Sequence, residues 1–363
     1  MTEDEVVTKE QAQPAKKRKG CLGCLMWAGI IVGILALLLC VFVGWTWAGA
    51  KKARAELAAK YPPPGQMVDV GGYRLHINCQ GSKPSAGSPT VVLESGAGEY
   101  SLTWDQVQRE VARFARVCAY DRAGLGWSER GSNPRTAPYV AEELEALLTG
   151  AGEEPPYVLV GHSMGGLYAR YYAYEHPEKV AGMVLEDGQN EEQNQRLPEA
   201  LTKANEQATQ MLRVPQLLSS IGLLARYPTS YPSLFLIPLA PGTKETYLAL
   251  QAMNPQFFAT AIEETAAEEE SCAAMRSVQD HSLGDMPLIV VSASEFADAA
   301  VLNLSAEERA QAMAVWAELQ AELVALSSSG KQVIAEGAEH FIHLDRPELV
   351  IDAIREVVEA VQR

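Results

Sequence analysis

Zinc-type cysteine pairs are missing from this chain. Its six cysteines in 363 residues include no Cys-x-x-Cys pair with a second pair at zinc spacing, and they are too few for a disulfide scaffold. No metal site is expected. Positive charge is scarce as well: 30 Lys+Arg stand against 46 Asp+Glu, a formal net charge of −16 at pH 7. Residues 1–65 hold 9 of the basic and 5 of the acidic side chains, so the remainder carries 21 against 41. A body that acidic repels polyanions, and nucleic acid is excluded as a partner. With 47% hydrophobic residues the chain can still bury a large core.

Charge of either sign is absent from Gly20 to Ala50, and the centre of that run, Ile30 to Leu39, is strongly apolar. A bilayer needs about 20 such residues, so the run reads as a single membrane-spanning helix over 21–50. Trp27, Trp45 and Trp47 lie near its ends, where indole rings favour the interface. Ala48-Gly49-Ala50 also fits a signal-peptidase site. Signal h-regions run only about 7–15 residues, however, so an uncleaved anchor is expected. The polar stretch 1–20, ending in Lys16-Lys17-Arg18-Lys19, reads as a disordered tail. Its basic cluster tilts it to the cytoplasmic side and leaves the rest extracytoplasmic. Residues 51–65 form a linker: Ala53 to Lys60 continues as helix and Pro62-Pro63-Pro64-Gly65 is a stiff spacer.

The body, 66–363, is organised around Tyr157-Val158-Leu159-Val160-Gly161-His162-Ser163-Met164-Gly165-Gly166. An apolar strand runs into a Gly-x-Ser-x-Gly turn, and a helix pattern follows at once. This is the form of a nucleophile elbow, whose serine takes a strained backbone and stands above the sheet. Before it, Met67–Val70 and Tyr73–Cys79 flank a Gly71-Gly72 hairpin, and Thr90–Glu94 and Arg116–Asp121 read as strands. After it, Val180–Asp187, Pro287–Val291 and Gln332–Glu336 follow. Helices are expected over 104–113, 140–150, 306–327 and 348–361.

From about Gln66 onward the chain resembles the α/β-hydrolase fold family, on the strength of the elbow, the order of the strands and a histidine loop near the C-terminus. The resemblance implies a mostly parallel eight-stranded sheet flanked by helices. It also implies a helical cap over 188–286, a stretch where the strand pattern vanishes. That stretch is partly very apolar (Leu217-Leu218, Leu223-Leu224, Leu234 to Ile237), which suggests an apolar acyl or leaving group. Ser163 is the expected nucleophile and His340, in Gly337-Ala338-Glu339-His340-Phe341, the expected base. His343 is a fallback base, and His162 is expected to project away from the nucleophile. The backbone N–H groups of Ala97, in Ser95-Gly96-Ala97-Gly98, and of Met164 are the expected oxyanion donors.

The acid departs from the commonest family pattern. The segment after Val291 reads Ser292-Ala293-Ser294-Glu295-Phe296-Ala297-Asp298 and aligns Phe296 with the usual carboxylate. Asp187, at the end of the preceding strand, is preferred, with Glu295 and Asp298 as alternatives. Asp121, in Asp121-Arg122-Ala123-Gly124-Leu125-Gly126, reads as part of a packed turn. The family's strand order also places Cys79 and Cys118 as a possible disulfide.

The implied activity is a serine esterase or lipase-like hydrolase acting on an ester-like bond of a small or apolar molecule, with no cofactor. The competing readings are acyl transfer on the same triad and a non-catalytic, membrane-tethered binding protein.

Overall fold

A computed structural model describes residues 21–85, 87–228, 239–295 and 304–363. Asp298 and the apolar stretch Leu234 to Ile237 lie outside these residues.

Eight strands form one sheet: β1 Gln66–Asp69, β2 Arg74–Gln80, β3 Thr90–Glu94, β4 Arg116–Tyr120, β5 Tyr157–His162, β6 Val180–Glu186, β7 Leu288–Ala293 and β8 Gly330–Ala335. Their spatial order is β1-β2-β4-β3-β5-β6-β7-β8. β1 and β2 pair antiparallel, as does β2 with β4, and every later pairing is parallel. The apolar runs of β3 and β5 are buried along their whole length because helices cover both faces. Alternation divides their side chains: Val91, Leu93, Val158 and Val160 enter the core on one face, Val92 and Leu159 the core on the other.

Helices α2 Asp105–Val111, α3 Ala137–Ala151 and α4 Met164–Glu175 accompany the first five strands. Between β6 and β7 the chain builds the expected cap: α5 Gln193–Arg196, α6 Glu199–Met211, α7 Arg213–Ser220, α8 Leu223–Arg226, α9 Pro241–Met253, α10 Phe257–Ala266 and α11 Glu268–Arg276. Further helices are α12 Ala306–Val324, α13 Ile342–Asp345 and α14 Pro347–Val361. A disulfide joins Cys79 of β2 to Cys118 of β4, residues that face each other in register.

The helical continuation expected over Ala53 to Lys60 is present. The apolar run and the first part of the linker form a single helix, α1, from Cys21 to Lys60. Lys51 and Lys52 end the apolar stretch, yet nothing there breaks a helix; the three prolines do so ten residues later. The helix is long and apolar enough to cross a membrane. Its last turns pack on the cap, with Leu57 against the core that holds Leu250, Phe257 and Phe258.

Candidate active site

At the end of β5 the chain turns directly into α4, and Ser163 between them has φ 54° and ψ −125°. Only glycine fits the flanking positions. A Cβ on Gly161 would lie 2.6 Å from the Gly165 oxygen, and one on Gly165 would lie 2.5 Å from the Ser95 oxygen. Met164 is the first residue of α4, so its N–H is one of those a helix leaves without an intrahelical acceptor.

Asp187 follows β6 and is also held at positive φ, 43°. Its Oδ2 lies 2.6 Å from His340 Nδ1. Its Oδ1 accepts from Trp316 Nε1 at 2.7 Å and from the Ala293 N–H at 3.0 Å. The carboxylate is thereby fixed from the end of β7, from α12 and from the loop after β8. Glu295 is exposed, and its N–H donates to the Ala338 oxygen. Trp316 escaped the sequence reading; it comes from α12, 129 positions along the chain from the acid it steadies.

Ser163 and His340 line two adjoining cavities. One, of about 280 Å³, is bounded by Ala97, Met164, Gln189, Asn205, Thr209, Leu212 and Glu268, among others. The other, of about 230 Å³, is bounded by Leu197, Leu201, Met313 and Trp316 together with Asp187 and Glu295. The cap contributes polar side chains, Asn205, Thr209 and Glu268 among them, as well as apolar ones to these walls. In the first, burial raises the pKa of Glu268, although the side-chain amides of Asn194, Gln193 and Gln189 hydrogen-bond its carboxylate.

The loop that carries Ala97 is pinned from below. Arg122 is buried and donates to the oxygens of Ser95 and Gly96, each at 2.6 Å, and to the carboxylates of Glu94 and Glu264. Glu264 of α10 in turn accepts from the Gly98 N–H at 2.8 Å. Burial opposes the Arg122 cation, but the Glu264 and Glu94 charges outweigh it and hold its pKa well above the ordinary value. Neighbouring Asp121 is structural, accepting from the Ser101 and Trp127 N–H groups and pairing with buried His76.

His162 does not simply project away. Its buried ring donates Nε2–H to the His340 carbonyl oxygen, while Nδ1 lies 3.2 Å from Glu99 Oε1. Burial alone would lower its pKa; the Glu99 charge outweighs burial and raises it to about 9. Correspondingly, burial would raise Glu99, but His162 pulls it down to about 2. His343, the fallback base, is wholly buried, bonded through Nδ1 to Glu186 and stacked on Trp104, and it lines neither cavity. Glu99, His162 and His343 are metal-ligand residue types brought within 4.8 Å of one another. A protonated His162 beside ionised Glu99 balances their charge without an ion.

Comparison with known proteins defines the class. The α/β hydrolase fold family model matches residues 89–347. The chain belongs to that family. It is 27% identical over 290 residues to an AB hydrolase superfamily protein of Gibberella zeae, covering 76% of this chain and 87% of that one. A stretch of 136 residues is 36% identical to a probable transporter of Hormonema carpetanum; it spans 36% of this chain and only 20% of that relative. Among solved structures, a thermophilic esterase from Thermogutta terrifontis aligns with TM-score 0.56 at 18% identity, covering 82% of this chain and 99% of that one. The epoxide hydrolase CorEH aligns with TM-score 0.59, also at 18% identity, covering 82% and 98%. Likeness at that identity speaks for the fold alone.

Proposed function

We propose that this α/β hydrolase is a membrane-anchored serine esterase, with Ser163, His340 and Asp187 as its triad. The observation that carries the reading is the 2.6 Å contact of His340 Nδ1 with Asp187 Oδ2, beside cavities that Ser163 and His340 line together. His340 Nε2 takes the Ser163 proton as Oγ attacks the ester carbonyl, and Asp187 stabilises the imidazolium. The Ala97 and Met164 N–H groups receive the oxyanion. The proton then passes to the leaving alcohol, and water resolves the acyl-enzyme by the same steps reversed.

The anchor reading rests on the uncharged run within α1. An extracytoplasmic body agrees with the Cys79–Cys118 disulfide, since such bonds persist in oxidising compartments.

Because α1 packs on the cap, the test uses the full chain in detergent. A fluorophosphonate probe is expected to label the protein and to leave Ser163→Ala unlabelled. A folded wild-type chain that stays unlabelled refutes the esterase and favours the binding protein. Adding alcohol acceptors to the esterase assay separates hydrolysis from acyl transfer.

A further inference from the structure

Amphipathic helices of a soluble domain turn their apolar stripe inward. α7 does not follow that rule. Pro215 and Ser219 face the body, whereas Val214 and Leu217 point outward and are 63% and 62% exposed. Met211, at the end of α6, extends the same stripe at 57% exposure, and Tyr227 beyond α8 is half-exposed.

The anchor helix emerges beside this stripe. Gly222 approaches α1 so closely that a Cβ there would lie 2.2 Å from Ala50 Cβ. Arg226 stacks over the Trp45 ring at 3.6 Å and donates to the Trp45 oxygen. Arg54 donates to the Ser219 oxygen at 2.9 Å. At a rise of about 1.5 Å per residue, Leu25 to Trp45 spans about 30 Å, the thickness of a hydrocarbon core. Contacts at Thr46 to Ala50 then fall within about one helical turn of its edge, at headgroup depth. No slack separates the span from the cap.

Charge agrees with this placement. The body is acidic, yet residues 211–228 contain Arg213 and Arg226 and no Asp or Glu, and Lys51, Lys52 and Arg54 lie alongside on α1. Basic side chains around an outward apolar stripe are the pattern of a helix lying in a membrane interface. Moreover, the stripe is one helix layer from the site: Asn205, Ala208, Thr209 and Leu212 line the Ser163 cavity from the inner side of α6 and its turn into α7.

We propose that Met211, Val214 and Leu217 lie in the surface of the bilayer that holds α1, and that the substrate is an acyl ester resident in that bilayer. The ester enters under the cap, and water cleaves its acyl C–O bond to give the carboxylic acid and the alcohol. The substrate half of this inference rests on the esterase reading above; the docking half rests on the anchor alone.

The test places the full chain in phospholipid nanodiscs. Two esters with one leaving group are compared: 4-methylumbelliferyl oleate dissolved in the disc and 4-methylumbelliferyl acetate in the water. Val214→Asp/Leu217→Asp is expected to lose about tenfold or more on the oleate while staying within about twofold on the acetate. Equal rates on the oleate, or equal losses on both esters, overturn the inference. Docking is read without catalysis, from a headgroup-depth diazirine lipid, which is expected to mark the 211–217 peptide as well as α1. Adducts confined to α1, as they would be if a second copy of the chain covered the stripe, overturn it. If neither ester is turned over by the wild type, the esterase reading falls, and the lipid adducts still decide whether the cap meets the bilayer.

Discussion

The ring of His162 donates its Nε2–H to the carbonyl oxygen of His340 at 2.9 Å, across 178 positions of chain. The residue before the proposed nucleophile therefore holds the backbone of the proposed base. Glu99, next to the proposed oxyanion segment, keeps that ring charged. The end of β5 and two loops are joined at one buried ion pair.

This pair sets a pH window for stability. The folded pKa of His162 is raised to about 9, so its contribution is complete below the ordinary histidine value of about 6.5 and is lost as pH rises through 9. Glu99 is depressed to about 2, so its contribution holds above about 4.3 and is lost as pH falls through 2. Chemical denaturation should show stability falling by roughly 3 kcal/mol between pH 6.5 and 9. His162→Gln should flatten that slope; an unchanged slope refutes the assignment.

Asp187→Asn should lower kcat by about 10⁴-fold, because an amide cannot hold the imidazole in the required tautomer. Glu295→Gln and Asp298→Asn should stay within about twofold of wild type. Trp316→Phe removes one of the three hydrogen bonds to Asp187 and should cost about tenfold in kcat with KM little changed. Steady-state kinetics on 4-methylumbelliferyl acetate measures all four, and a larger loss at Glu295 or Asp298 would move the acid there.

Arg122→Met strands the buried carboxylates of Glu94 and Glu264 and releases the Ser95 and Gly96 oxygens. A loss of about 3–5 kcal/mol is expected by urea denaturation. Adding Glu264→Gln should recover part of it, and strict additivity of the two changes would count against a shared network.

Replacing Cys79 and Cys118 by alanine together should destabilise the chain by about 2–4 kcal/mol, mainly by freeing the unfolded state. The denaturation midpoint of oxidised wild type should fall to that of the variant when dithiothreitol is added. A midpoint insensitive to reduction would refute the contribution.

Features encoded in consecutive residues were legible from the sequence. The buried strands appear as short apolar runs, and the elbow appears as two glycines around a serine between a strand and a helix. Boundaries set by packing were less so. The final strand begins at Gly330, two residues before its apolar pattern, because Gly330 and Lys331 are recruited by pairing with Leu288 and Ile289. The helical continuation over Ala53 to Lys60 was legible too, because charge limits a hydrocarbon span and does not limit a helix. The contacts of Trp316 with Asp187 and of Arg122 with Glu264 join positions 129 and 142 apart and leave no local signal. Likewise Asn205, Thr209 and Glu268 of the first cavity come from α6 and α11, which are themselves rich in polar residues, and which of those residues face inward is set by packing.

A helix that runs unbroken from the apolar run onto the cap would do more than tether. Set in a bilayer, a flexible stalk would let the body tumble; a rod hydrogen-bonded to the cap at Trp45 and Arg54 and packed on it at Ala50 would fix its tilt and height. The mouth of the site would then meet one leaflet only, and its search for substrate would become diffusion in a plane. For such a molecule surface density, rather than bulk concentration, would be the natural variable of its kinetics.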